Sequence, residues 1–270
     1  MSEPLGRSAT TDLLARHGIR LSKRLGQHFL TEPNTVRRIV QIAGSGPGDL
    51  VVEVGAGAGT LTRGLAATGA SVIAYEIDES LRPVLDETLA GIGGVEMRFV
   101  DAMKVDFEAD LPAGEWAMVA NLPYNVGTPL VLQTLQRAPR VKSLVVMLQR
   151  EAIDRFVAAP GSRAYGVPSV IVTLYAAASV VLQVPGHVFT PPTPVSSSVV
   201  AMTRIEPHPL ASKAIGLAAA AFGQRRKMLR SSLRTVVDDP GALLEAAGIE
   251  PTRRAEELAP DDFLRLAGVA

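Results

Sequence analysis

The sequence predicts an α/β protein with an open, mostly parallel sheet that ends in one antiparallel strand, followed by a small C-terminal helical domain. Strand-like apolar runs alternate with helix-like segments from Leu50 to Leu148, the pattern of a parallel sheet covered on both faces. Two runs rich in β-branched residues follow, separated by a proline-rich loop, and indicate an antiparallel ending. After about Pro207 the composition shifts to Ala, Leu and Arg in a helical pattern. We expect one domain over residues 1–206, including an N-terminal arm, and a helical domain over residues 207–270.

The parallel part of the sheet has predicted strands at Leu50–Val54, Val72–Glu76, Val95–Val100, Trp116–Ala120 and Val141–Leu148. Helical patterns occupy Glu79–Ala90 and Thr128–Arg137, and the stretch after Val100 is typical of a loop.

The antiparallel ending is predicted from the runs Ser169–Val184 and Ser197–Ile205, with Pro185–Pro194 as the loop between them. The longest apolar run, Val170–Leu182, is shorter than the roughly 20 residues that a membrane helix requires. We interpret it as buried strand.

The amino-acid composition excludes several classes of function. The chain has 27 basic and 27 acidic residues, so no whole-molecule field attracts nucleic acid and any basic surface must be a local patch. Cysteine is absent, which excludes disulfides, thiolate metal sites and thiol nucleophiles. The first 27 residues lack the apolar run of a secretory signal, so we expect a cytoplasmic protein.

A glycine-rich loop, Glu53–Gly59, follows the first predicted strand and precedes a helix, where small residues let backbone amides approach a ligand closely. Gly57 and Gly59 are two residues apart, whereas the dinucleotide fingerprint requires three. The loop therefore argues against a nicotinamide enzyme. Glu76 ends the next strand and is placed to accept hydrogen bonds from the ribose hydroxyls of an adenosine-containing cofactor. Asp101 follows the strand after that, and its carboxylate can accept a hydrogen bond from an adenine amine.

The stretch Asn121–Tyr124 follows the fourth strand and suits a planar amine. The Asn121 side-chain oxygen and the Leu122 carbonyl can each accept one hydrogen of an exocyclic NH2 group, Pro123 fixes the turn, and Tyr124 offers a ring for stacking. Two acceptors draw the nitrogen toward tetrahedral geometry before it attacks a methyl group, so positioning is the main contribution and no strong base is required.

Together these motifs resemble the ribosomal RNA adenosine dimethyltransferase family, most closely its small-subunit (KsgA/RsmA) type. The similarity covers nearly the whole chain, through Leu25-Gly-Gln-His-Phe-Leu30, Glu53–Gly59, Asn121-Leu-Pro-Tyr-Asn125, Met147-Leu-Gln-Arg-Glu151, Ala164-Tyr-Gly166, Val188-Phe-Thr-Pro-Pro192 and Phe222-Gly-Gln-Arg-Arg-Lys227. The resemblance implies a Rossmann-like class I methyltransferase sheet and S-adenosyl-L-methionine as cofactor. It also implies dimethylation at N6 of two adjacent adenosines in the 3'-terminal hairpin of 16S rRNA, within the immature 30S subunit, by a monomeric enzyme.

The resemblance also implies roles for individual residues. The cofactor site would be lined by His28, Leu30, Gly55, Glu76, Asp101 and Asn121. Tyr124 and Phe189 would stack on either side of the flipped adenine. The sequence predicts no metal site. It departs from the family pattern at Thr193-Pro-Val-Ser-Ser197, where Pro-Lys-Val-Asp-Ser is more usual, and at Gly127, where Ser is commoner.

A local basic patch is predicted between Ala211 and Val237, a segment without acidic residues. Its candidate RNA-binding residues are Arg225, Arg226, Lys227, Arg230 and Arg234. On one helix, Arg226, Arg230 and Arg234 would form a single stripe suited to a phosphate backbone. Arg20, Lys23 and Arg24 extend the predicted patch. A solvated helix face is the alternative interpretation.

Two other functions remain open from the sequence. One is the antibiotic-resistance relative that methylates adenosine in 23S rRNA and shares the catalytic stretch. The other is a non-catalytic RNA-binding assembly or transcription factor that has kept the fold. The intact Asn121–Tyr124 stretch and Glu76 argue against the second.

Overall fold

The computed structural model describes residues 4–19 and 27–270. The motif residues Leu25 and Gly26 and the basic residues Arg20, Lys23 and Arg24 lie outside the described residues. The chain forms two compact units, one of residues 1–153 with 179–203 and one of residues 154–178 with 204–270.

The first unit is organised around a mixed sheet. The strands are β1 (Phe29–Leu30), β2 (Leu50–Val54), β3 (Ser71–Glu76), β4 (Val95–Phe99), β5 (Trp116–Asn121), β6 (Val141–Gln149), β7 (Ala176–Val184), β8 (Phe189–Thr190) and β9 (Ser197–Arg204). Within the described residues, seven of them form one sheet in the order β4-β3-β2-β5-β6-β9-β7. The first five run parallel, and β9 pairs antiparallel with β6.

The predicted mostly parallel sheet with an antiparallel strand is confirmed, and the five predicted parallel strands agree with the observed ones to within a residue at each end. The antiparallel strand β9 lies one position inside the edge, because β7 occupies the edge beyond it. The carboxyl ends of β2, β3 and β5 therefore meet at one side of the sheet, which is where ligands bind in open α/β folds.

Helices pack against this sheet. They are α1 (Arg7–Arg16), α2 (Pro33–Ala43), α3 (Thr60–Ala66), α4 (Arg82–Thr88), α5 (Phe107–Asp110), α6 (Gly127–Arg137) and α7 (Arg150–Phe156). The predicted helix Glu79–Ala90 is a 3-10 turn, Glu79–Leu81, that continues into α4. Buried aliphatic side chains such as Val51, Leu65 and Val119 fill the core beneath them.

The interpretation of Ser169–Val184 and Val170–Leu182 as strand is wrong over their first halves. Residues Val167–Tyr175 form helix α8, and the strand begins only at Ala176. The extended Gly166 caps the helix, and its N–H donates to the Ser169 hydroxyl at 3.2 Å. The helix is buried on most sides, so tertiary burial overrides the strand preference of its β-branched residues.

The second unit is helical. It contains α8 together with α9 (Ala211–Gly223), α10 (Leu229–Ser232), α11 (Pro240–Ala246) and α12 (Pro260–Val269). The predicted domain began at residue 207, whereas the unit also takes in residues 154–178. The reason is packing: α8 lies against α9, and the buried Tyr165 hydroxyl donates to the Leu258 carbonyl at 2.8 Å.

The predicted single stripe of Arg226, Arg230 and Arg234 on one helix is wrong. Helix α9 ends at Gly223, and Met228 has an extended conformation before α10 begins at Leu229. Arg226 lies in the intervening turn, and only Arg230 and Arg234 occupy the continuous turn formed by α10 and the following 3-10 segment.

Candidate active site

The glycine-rich loop joins β2 to α3 at the carboxyl edge of the sheet. Gly55, Gly57 and Gly59 all have positive φ, in the region that side chains disfavour. A Cβ on Gly57 would lie 2.8 Å from Cδ1 of Phe29, and one on Gly59 would lie 2.8 Å from Cγ2 of Thr88. The loop therefore requires glycine both for its backbone conformation and for its close approach to neighbouring side chains.

Glu76 lies at the end of β3 and is only 7% exposed. One carboxylate oxygen accepts the N–H of Gly57 at 2.8 Å, and the other accepts those of Ile77 and Asp78 at 2.9 Å each. Burial raises the pKa of Glu76, and these backbone N–H groups oppose the rise. The side chain is thus held rigidly against the glycine loop, and the remaining lone pair, on the oxygen that accepts from Gly57, can accept from a ligand.

Asp101 follows β4 and caps a short 3-10 helix. Its Oδ1 atom accepts the N–H of Met103 at 3.0 Å, and its Oδ2 atom lies 3.8 Å from Nζ of Lys104. The side chain is partly exposed, so Oδ2 can also accept a hydrogen bond from a ligand in the cavity that Asp101 lines.

Asn121 is the last residue of β5 and begins the loop that leads to α6. The N–H of Leu122 donates to the Met147 carbonyl at 3.1 Å, and the Pro123 carbonyl accepts the N–H of Gly127 at 2.9 Å, which turns the chain into the helix. The Asn121 amide nitrogen donates to the His28 carbonyl over 3.5 Å.

Two acceptors of this loop are available to a ligand. Among the described residues, neither Oδ1 of Asn121 nor the carbonyl oxygen of Leu122 accepts a hydrogen bond. Both residues line the same cavity, and a carbonyl or amide oxygen in such a place is suited to a donor such as an NH2 group.

Tyr124 is fixed from two sides. Its hydroxyl shares a hydrogen bond of 2.8 Å with that of the fully buried Ser197, and its ring lies nearly parallel to that of His28, with ring centres 6.2 Å apart. The sequence did not single out Ser197 as a site residue, because its contact with Tyr124 joins positions 73 residues apart.

The N-terminal arm borders the cavity by pairing with the proline-rich loop. Strand β1 pairs antiparallel with β8, so that Leu30 lies opposite Phe189. Nδ1 of His28 hydrogen-bonds the Pro191 carbonyl at 2.9 Å, and Gln27 donates to Asp78 at 2.5 Å. These contacts bring two segments about 160 residues apart to one edge of the site.

The proline-rich loop is closed at its base. The N–H of Thr193 donates to the Gly186 carbonyl at 3.1 Å, and a Cβ on Gly186 would lie 1.9 Å from the Thr193 carbonyl oxygen. Thr193, one of the departures from the family pattern, therefore serves loop closure through its backbone. Phe189, in the middle of this loop, is 1% exposed and contributes to the cavity wall.

Nearly all the site residues predicted from the sequence line a single cavity. They are His28, Gly55, Glu76, Asp101, Asn121, Leu122, Pro123, Tyr124 and Phe189. Leu30 borders a smaller adjoining cavity instead. The cavity also contains residues that the sequence did not indicate, among them Gln27, Ile77, Met103 and Val126. For Ile77 a sequence signal was available, because this apolar residue directly follows Glu76, the acidic end of a strand.

Glu53 is the least expected member of the site. It is 1% exposed and lines the smaller cavity beside the glycine loop, and its Oε2 atom has no hydrogen-bond partner among the described residues. Burial raises the pKa of Glu53 to about 8; Thr62 opposes this and the nearby Glu76 adds to it.

The two cavities share an acidic lining. Glu76 and Asp101 bring carboxyl groups to the larger one and Glu53, which its raised pKa keeps protonated at neutral pH, brings one to the smaller; among the described residues no Lys or Arg lines either cavity. Within those residues there is also no group of three or more side chains suited to hold a metal ion. A cofactor that carries positive charge fits such walls better than a pyrophosphate does.

The predicted RNA-binding residues lie in the second unit. Arg226, Lys227, Arg230 and Arg234 are exposed. Arg225 is already engaged, because its Nε donates to Glu256 at 2.8 Å and its Nη2 donates to the Arg163 carbonyl at 3.0 Å. Its predicted role in RNA binding stays a prediction.

A seven-stranded sheet of this order, with a glycine-rich loop after β2 and acidic residues at the end of β3 and just after β4, is the Rossmann-like sheet of the class I methyltransferase fold. Residues 18–270 match the family model described as ribosomal RNA adenine dimethylase. The chain therefore belongs to the ribosomal RNA adenine dimethylase family and is an rRNA adenine dimethyltransferase.

Curated relatives match nearly the whole chain. The ribosomal RNA small subunit methyltransferase A of Phenylobacterium zucineum is 46% identical, over 95% of this chain and 90% of the relative. The protein of the same name from Leifsonia xyli subsp. xyli is 44% identical, over 97% of each.

Solved structures support the fold. A dimethyladenosine transferase from Plasmodium falciparum matches with a TM-score of 0.75 and 24% identity, over 90% of this chain and 99% of that one. The 23S rRNA methyltransferase ErmE matches with a TM-score of 0.68 and 24% identity, over 89% and 98%. No helix of the described residues is long and apolar enough to cross a membrane.

Proposed function

We propose that this enzyme uses S-adenosyl-L-methionine to dimethylate N6 of two adjacent adenosines in the 3'-terminal hairpin of 16S rRNA. We further propose that it acts as a cytoplasmic monomer on the immature 30S subunit. The observation that carries the proposal is the pair of free acceptors, Oδ1 of Asn121 and the carbonyl oxygen of Leu122, in the acid-walled cavity. The choice of 16S rRNA rests on relatives that bear the name small subunit methyltransferase A.

The residues of the cavity suit the proposed cofactor. Glu76 would hold the ribose hydroxyls and Asp101 the adenine amine, while the glycines of the Gly55–Gly59 loop would let the methionine portion approach the backbone closely. S-adenosylmethionine supplies an electrophilic methyl group on a sulfonium. The carboxyl groups of Glu76 and Asp101 and the absence of Lys and Arg from the described cavity walls favour such a cation.

The chain's own part in the chemistry is to position the amine. The N6 lone pair of adenine is delocalised into the ring, so hydrogen bonds from the NH2 group to Asn121 and Leu122 would hold the nitrogen with its lone pair directed at the methyl group. After transfer the nitrogen is acidic and releases its proton to water. An amide therefore suffices at position 121, and the gain comes from orientation.

The target base must leave its stack to reach this cavity, because a stacked base hides its amine. Tyr124 offers a ring whose hydroxyl group is hydrogen-bonded to Ser197, and Phe189 forms part of the cavity wall. The exposed Arg226, Lys227, Arg230 and Arg234 of the second unit would contact phosphates, which suits recognition of structured RNA by backbone and shape.

The test is in vitro methylation of 30S particles that lack N6-methylated adenosine, followed by nuclease digestion and mass spectrometry of the 16S rRNA. We expect two adjacent N6,N6-dimethyladenosines near the 3' end. Deproteinised 23S rRNA serves as the competing substrate. Methylation of 23S rRNA alone would show that the enzyme is of the antibiotic-resistance type that modifies 23S rRNA. Cofactor binding without methylation of either RNA would contradict the proposal.

A further inference from the structure

Gly127 is one of the positions where this chain departs from its family pattern, and it lies at the start of α6, directly after the amine-binding loop. A Cβ built on it would lie 2.1 Å from Cδ2 of Leu148 and 3.0 Å from Cβ of Leu122. The Leu148 side chain thus occupies the space that a side chain at position 127 would need.

The three residues are buried around this space. Leu148 is fully buried on β6, Leu122 is 1% exposed, and Gly127 is buried as well. The backbone of Leu122 is tied to the same strand, because its N–H donates to the carbonyl of Met147, the residue before Leu148. The space beside Gly127 is therefore bordered both by the Leu148 side chain and by Cβ of Leu122, the residue whose carbonyl oxygen is the proposed acceptor.

From this geometry we infer that Leu148, seated in the space left by Gly127, is a positioning residue that sets the place of the Leu122 carbonyl and so the orientation of the target amine. The inference rests on the proposed function. A Cβ atom cannot move independently of its backbone, so crowding at Leu122 shifts the acceptor carbonyl, whereas crowding at a distant core position does not. Small misplacements of a positioning group are costly in rate.

The inference can be tested by adding a methyl group at Gly127, by truncating the side chain of Leu148, and by combining the two changes. Gly127→Ala should lower the single-turnover methylation rate at least 10-fold, with S-adenosylmethionine and RNA affinities within 2-fold of the parent. Leu148→Ala should also lower the rate, because Leu122 loses its support. The double variant Gly127→Ala with Leu148→Ala should recover to within about 3-fold of the parent, since the new methyl group then enters vacated space.

Gly64→Ala is the matched control. Gly64 lies in α3, and its Cβ would meet Val36 and Val40 at 3.1 Å each, so the substitution crowds the core without touching the amine-binding loop. It should lower the melting temperature and leave the rate per folded molecule unchanged.

A second readout does not depend on catalysis. Amide hydrogen exchange at Leu122 and Gly127, whose N–H groups donate to Met147 and Pro123, should quicken in each single variant and slow again in the double variant. Parental rates in Gly127→Ala, or no recovery in the double variant, would overturn the inference. A parent enzyme that methylates no adenosine would instead contradict the proposed function.

Discussion

Replacing Glu53 with Gln removes a buried acid whose protonation should govern how the first unit responds to pH. Burial raises the folded-state pKa of Glu53 to about 8, against an ordinary value of 4.5. Between these values the folded chain holds a proton that the unfolded chain has released, so the free energy of unfolding falls as pH rises. A pKa difference of one corresponds to about 1.4 kcal/mol, so the whole interval amounts to about 5 kcal/mol.

The measurement is urea unfolding at several pH values between 5 and 9, followed by the fluorescence of Trp116. That residue is the only tryptophan of the chain and is buried in β5, in the same unit as Glu53. Glu53→Gln should be close to the parent in stability at pH 5 and clearly more stable than the parent at pH 9. The exposed Glu96→Gln should follow the parent throughout. Parallel curves for parent and Glu53→Gln would refute the reasoning, because the carboxyl group would then titrate normally.

Three further predictions address the cofactor, the amine and the RNA separately. Glu76→Ala should weaken S-adenosylmethionine binding at least 10-fold in titration calorimetry, because charge-assisted hydrogen bonds contribute about 1.5 to 3 kcal/mol each; unchanged affinity in a folded variant would remove Glu76 from the cofactor site. Asn121→Ala should lower single-turnover methylation on the order of 100-fold at saturating cofactor while RNA affinity barely changes; a parental rate would exclude amine positioning by its side chain. Replacing both Arg230 and Arg234 with Gln should lower RNA affinity and flatten its salt dependence without affecting cofactor affinity; an unchanged salt slope would mean that these arginines are only a solvated surface.

The sheet could be predicted well from sequence where local pattern and tertiary burial agree. Strands such as Leu50–Val54 are short apolar runs between turn residues, and their bounds follow from the chain itself. The prediction failed at Val167–Tyr175, where a run of β-branched residues is buried as a helix. Periodicity cannot separate the two states in a fully apolar run, and the deciding contacts come from α9 in the second unit.

The basic patch shows the same limit. A spacing of four residues places arginines on one helical face only if the helix is continuous, and no Pro between Gly223 and Leu229 signals the break there. The interruption at Met228 depends on a long-range contact, because Met228 forms a bridge with Arg254 and the N–H of Leu229 donates to Arg253.

Some residues of the site could likewise be predicted from the sequence, and others could not. The places of Glu76, Asp101 and Asn121 were predictable because each ends or closely follows a strand of one parallel sheet, and the carboxyl ends of such strands converge. Ser197, which fixes Tyr124, and Leu148, which fills the space beside Gly127, were not predictable. Each acts through one side-chain contact between distant positions, and a single sequence carries no pattern for such contacts.

The proposed reaction requires two sites of opposite charge, one that binds the cationic cofactor and one that binds RNA phosphates. Carboxylate groups in a cavity stabilise a bound cationic cofactor, and the same groups repel the phosphates of RNA. Among the described residues, no Lys or Arg lines that cavity, whereas four exposed basic residues, Arg226, Lys227, Arg230 and Arg234, lie in the second unit. RNA affinity and methyl transfer should therefore respond to different substitutions and to salt in different ways, because only the phosphate contacts release counterions.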